Sequence, residues 1–220
     1  AYPGTARRRV SVRRHARLVD YRLHDGCNAR VWVHLPVAGA GISLPQGSAL
    51  LTRVPGAPAS LLPASKALDD ALAGGALVFE TVADATLHAD LNQLDFYAWG
   101  QRACCLPRGA TAATLRGAHP ALQAGDVLVF QEVVSPTTFR AEDADRAHRW
   151  AVRLTRASVG TDPLGGLFDD PPVNGPVDIT EIAWDAADAL PFPLCLSVAD
   201  RPGLVVSVAL GNIVLADHGR

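Results

Sequence analysis

HRWAVRLTRASV, residues 148–159, decides the fold: Trp150, Val152 and Leu154 alternate with Arg149, Arg153 and Thr155. Successive side chains of a strand point to opposite faces, so this period of two predicts a strand with one apolar and one wet face. That is the signature of an antiparallel sheet packed on one side. Upstream, GDVLVFQEV (125–133) is a second strand launched by a Gly-Asp turn, and TEIAW (180–184), FPLCLSV (192–198) and LVVSVAL (204–210) continue the series. The Arg201-Pro202-Gly203 turn predicts that the last two pair as a hairpin, and Gly211-Asn212 predicts a tight turn or a bulge before IVLADHG (213–219). Residues 135–147 and 158–178 read as polar loops. Residues 101–220 are therefore expected to form an antiparallel barrel or sandwich.

Working outward, residues 29–100 read as a first β-rich unit. In ARVWVHLPV (29–37), Ala29, Val31, Val33, Leu35 and Val37 are expected inward, and Arg30, Trp32 and His34 outward. SLPQGSALLTRV (43–54) turns into a further strand, and LVFETV (77–82) is another. Between them the Pro-, Ala- and Gly-rich residues 55–76 form a surface insertion with a short helix around Ser65–Leu72. HADLNQLDFYAWG (88–100), through Leu91, Leu94 and Phe96, is a packed connection to the second unit. Ahead of both, residues 1–28 hold a helix: Thr5 is the N-cap, Gly26 the stop, and Val12, Ala16, Val19 and Leu23 form a narrow apolar stripe. The fold class is mainly β (α+β).

At 220 residues, with 49% hydrophobic and 19% charged residues, the chain is long enough to bury a core. It contains no apolar run of membrane-spanning length and no signal-peptide pattern, so a cytoplasmic protein without a membrane span is expected. There is no methionine, even at position 1, and NIVLADHGR at the end reads as a strand in progress, so the chain reads as a piece of a longer polypeptide. Charge is uneven. Residues 1–22 carry seven arginines against Asp20, and the whole-chain charge of −2 then leaves about −8 for the remainder. Without interleaved aromatics the basic segment points to an acidic protein surface and not to nucleic acid. Arg8, Arg9, Arg13, Arg14 and Arg17 are the expected partner contacts.

Four cysteines without regular spacing predict neither a disulfide framework nor a zinc site, and a reducing compartment is the simpler account. Adjacent Cys104 and Cys105 are expected to be framework residues of a strand, one inward and one outward. A rival reading makes one of them a nucleophile served by His218 and oriented by Asp217. Glu142, Asp143, Asp145 and His148 supply metal-binding donor types but lack calcium-loop spacing, and a solvated acidic loop is expected. No catalytic, cofactor-binding or metal-ligating residue is assigned. A second rival, a ligand- or glycan-binding module, would need an exposed aromatic platform drawn from Trp32, Trp99, Trp150 and Trp184, of which the last two read as core.

RRHARLVDYRLHDGCNARVWVH (13–34), LNQLDFYAWGQRACCLPRGATAATLRG (91–117), LQAGDVLVFQEV (122–133), ITEIAWDAADALPFPLCLSV (179–198) and GNIVLADHG (211–219) resemble baseplate assembly proteins of phage-tail-like contractile injection systems. These are similar in role to the baseplate J and wedge proteins of contractile tails. The resemblance departs at 55–76 and 158–178. It implies a structural, non-enzymatic subunit without cofactor, assembled with other wedge subunits around a tail hub in a hetero-oligomeric particle.

Overall fold

The computed structural model describes residues 3–23, 26–168, 172 and 175–218. Among the described residues, two α-helices, α1 (Arg9–Arg17) and α2 (Lys66–Ala73), accompany a mainly β chain. Its first strands are β1 (Arg30–His34), β2 (Ile42–Leu44), β3 (Ala49–Leu51), β4 (Val78–Thr81), β5 (Ala85–Leu87) and β6 (Leu94–Asp95). There follow β7 (Cys104–Leu106), β8 (Ala112–Arg116), β9 (Val127–Glu132) and β10 (Arg149–Asp162). The last four are β11 (Val177–Trp184), β12 (Leu194–Ser197), β13 (Ser207–Leu210) and β14 (Ile213–Asp217).

The main sheet is a curled antiparallel half-barrel ordered β6-β13-β9-β10-β11-β8. Alternation builds it as expected: Val152 and Leu154 of β10 are buried, and Arg149, Arg153 and Thr155 are exposed. A register shift between Leu154 and Arg156 lets the first part of β10 pair with β9 and the remainder with β11. Gly125, in the left-handed region at φ +100°, tightens the turn before β9. There the Gly125 N–H donates to the Leu154 carbonyl, and the Leu154 N–H to the Asp126 carbonyl, each at 2.8 Å. The sheet's outer strands meet through one bridge, Phe96 with Leu115, beside which the Tyr97 N–H donates to the Thr114 carbonyl at 2.8 Å. Inside, Phe130 is fully buried between Phe96 and Trp184, each edge-on to it.

A four-stranded sheet, β1-β14-β4-β3, and two-stranded ladders β2-β5 and β7-β12 complete the chain. Strand pairing crosses residue 100 in both directions: β14 lies between β1 and β4, and β6 lies beside β13. Residues 29–100 and 101–220 thus each contribute a strand to the other's sheet. Asn212 makes the passage between them. Held at φ +50° and buried, its side-chain amide exchanges hydrogen bonds with the His88 backbone and donates to Asn92 Oδ1 at 2.8 Å. Asn92 in turn bonds the Val37 backbone in both directions. A Cβ on Gly211 would stand 2.7 Å from the Leu91 carbonyl oxygen, so the chain can cross there only as glycine.

Three local expectations are corrected. β12 pairs with β7 and not with β13, and the Arg201–Gly203 turn carries the chain between sheets. β10 and β11 extend into the segment expected to be a loop, leaving 163–176 as the connection, of which 169–171, 173 and 174 lie outside the described residues. β1 lacks the expected inward face at its start: Ala29 and Val31 are exposed, Val31 at 41%, whereas Trp32 is exposed as expected. β1 is an edge strand, paired among the described residues only with β14.

Candidate functional site

The arginine segment forms a shorter helix than its periodicity predicts. Thr5 closes a separate short turn (Pro3–Thr5), Arg8 occupies the N-cap of α1 without a side-chain cap, and the helix ends at Arg17. Arg9, Arg13 and Arg17 share a face by their four-residue spacing, and Arg8 and Arg14 are exposed beside them. No residue of α1 is fully buried, and Ser11, His15 and Ala16 are half-buried. Val10, Val12, Leu18, Val19 and Tyr21 are exposed, Leu18 at 82% and Val19 at 78%. Nine residues fall short of the roughly 12–15 that an isolated helix needs in water, so its stability must come from packing. α2, by contrast, carries its own supports. Ser65 caps it by accepting from the Leu68 N–H, Lys66 pairs with Asp70 at 2.7 Å, and Ala71 is buried.

On the body, a groove of about 810 Å³ runs between β5, β14 and the turn leading into β9. A second, of about 510 Å³, lies between β10 and the turn at 185–188. Trp32, Val127 and Arg153 line both. Asp84 and Asp126 face the first, Asp185 and Asp188 the second, so the pair holds four carboxylates against one guanidinium. Each carboxylate is fixed by a backbone N–H: Gln46 donates to Asp84, Gln123 to Asp126, Ala187 to Asp185 and Arg153 to Asp188, at 2.7–3.1 Å. Desolvation raises the Asp126 carboxyl above its usual range, against the lowering effect of the Gln123 N–H. Sequence reading passed over these acids, because each occurs as an ordinary turn residue and only the tertiary fold gathers them.

Cys105 forms a disulfide with Cys195, directly opposite on β12, correcting the expectation of unpaired thiols. Spacing could not show this, since the partner lies 90 residues away. Cys27 and Cys104 are free, and desolvation raises the Cys104 thiol, the opposite of what a nucleophile requires. His218 lies beyond β14 with its ring against Phe79, and Asp217 pairs with Arg30 at 3.2 Å, so neither serves a cysteine on β7.

The acidic loop also divides. Glu142 pairs with Arg140, whereas His148 Nδ1 lies 2.7 Å from Glu132 of β9 and its ring stacks on Phe192. No group of three or more metal-binding side chains is gathered among the described residues. Of the tryptophans, Trp184 is buried and Trp150 packs against the core, its indole N–H donating to the Asp188 carbonyl at 2.9 Å. Trp32 and Trp99 are exposed on different parts of the fold, Trp32 in β1 and Trp99 bonded to Thr114 of β8, so they make no common platform. Among the described residues no helix is long and apolar enough to cross a membrane. Comparison with known protein families, characterised proteins and solved structures returned no match.

Proposed function

We propose that this chain is a structural subunit of the baseplate of a contractile, phage-tail-like injection system. In this reading it is a wedge component that joins other wedge subunits and the tail hub through protein–protein contacts and performs no catalysis. The observation that carries the proposal is α1, a helix too short to stand alone, with no buried residue, bearing arginines and exposed apolar side chains ahead of a net-acidic body. Such a segment gains its stability on a neighbouring surface. The contacts are assigned to Arg8, Arg9, Arg13, Arg14 and Arg17, and the phrases that resemble baseplate assembly proteins give the neighbour its class.

The test is assembly of the chain with its neighbouring gene products, followed by electron microscopy, for the parent and for Arg13→Glu/Arg14→Glu. The parent is expected to enter a ring around a tail-like hub. The double variant is expected to keep its circular dichroism spectrum and to be depleted from the particle. A parent that joins no such assembly overturns the proposal, and a variant that unfolds makes the arginines part of the chain's own architecture.

A further inference from the structure

We infer that the receptor for α1 is the acidic double groove of a second copy of this chain, so that two copies exchange arms. The inference rests on reading α1 as a docking arm and names its partner. Complementarity of charge and shape argues for it. The arm brings seven arginines and one aspartate within residues 1–22, and the grooves present Asp84, Asp126, Asp185 and Asp188 against Arg153 alone. Trp32 stands exposed where the grooves meet, offering an aromatic face to a guanidinium or an apolar contact to Val10 and Val12. Among the described residues, none of α1 lines either groove.

The connection fits an exchange. The chain passes from α1 into β1, the strand that carries Trp32, so each arm departs beside its own groove and a two-fold arrangement lets each arm enter the other's. Asp126 gains most, because burial in the groove desolvates its carboxylate. An arriving arginine offsets that desolvation.

The experiment is sedimentation equilibrium of the 220-residue chain at low and high salt, with two charge-reversed variants. Arg14→Glu/Arg17→Glu reverses the arm, and Asp84→Arg/Asp185→Arg reverses exposed positions of the groove. The parent is expected to dimerise, more weakly in high salt. Each variant alone is expected to raise the dimer dissociation constant about tenfold or more, because like charges then face each other. Mixing the two variants is expected to restore dimers, since each arm then meets a groove of opposite sign, and that recovery also shows both variants to be folded. A monomeric parent overturns the inference, as does a dimer indifferent to both variants or a mixture that fails to recover. A monomer that still enters the baseplate would sink arm exchange and leave the wedge reading standing, whereas an arm-exchanged dimer that joins no baseplate would do the reverse.

Discussion

Asp126 shows how a residue that reads as plain turn chemistry acquires a different role in the fold. In the sequence it follows Gly125 and launches a strand. In the structure it accepts the Gln123 N–H at 2.9 Å and faces a groove, where desolvation raises its carboxyl above 3.8. The unfolded chain therefore ionises Asp126 first, and its contribution to stability, full below that value, is lost as pH rises through the folded one. Asp126→Asn keeps an acceptor for Gln123 and removes the charge. The variant is expected to be more stable than the parent in dilute solution near pH 7 and to match it near pH 3, as read from urea midpoints. A gap of equal size at both pH values would mean that the carboxylate is not the source. Asn212 carries a similar lesson: the sequence predicts a turn or bulge there, but nothing local shows that its amide would clamp His88 and Asn92, more than a hundred residues away.

At the scale of elements, strands were legible wherever alternation was strong. Trp150 to Thr155 placed β10, and Ser65 marked the start of α2, because period and capping are local properties. Pairing was less legible. β12 and β13 sit on either side of a good turn and yet do not form a ladder, since β12 is taken by β7 and joined to it by the Cys105–Cys195 disulfide. A link closing 90 residues restricts the unfolded chain strongly, and reduction is expected to lower stability by about 2–5 kcal/mol. Thiol titration of the denatured, unreduced chain should count two of the four cysteines, Cys27 and Cys104. Four reactive thiols, or urea midpoints unmoved by reductant, would remove the disulfide from the account. For α1 the arginines and the weak apolar stripe were both visible in the sequence, but its length was not, because Thr5 and Gly26 look like caps and are not used as such.

At the scale of the whole molecule, strand pairing runs across residue 100 in both directions. β6 and β14 weave the two halves into one arrangement of sheets, and the core around Phe130 needs nothing from α1. The grooves follow from that weaving. Trp32, Asp84, Asp126, Arg153 and the Asp185/Asp188 turn come from five separate stretches, which is why no motif announced them. In the arm-exchange proposal the β body carries an arm that docks on a second copy. Amide hydrogen exchange over a concentration series tests it most directly. The account predicts that in dilute solution the amides of α1 exchange at nearly unprotected rates while β9, β10 and β13 stay protected, and that α1 gains protection as concentration rises. Protection of α1 equal to that of β9 at the lowest concentration would contradict it, placing the helix in the chain's own core.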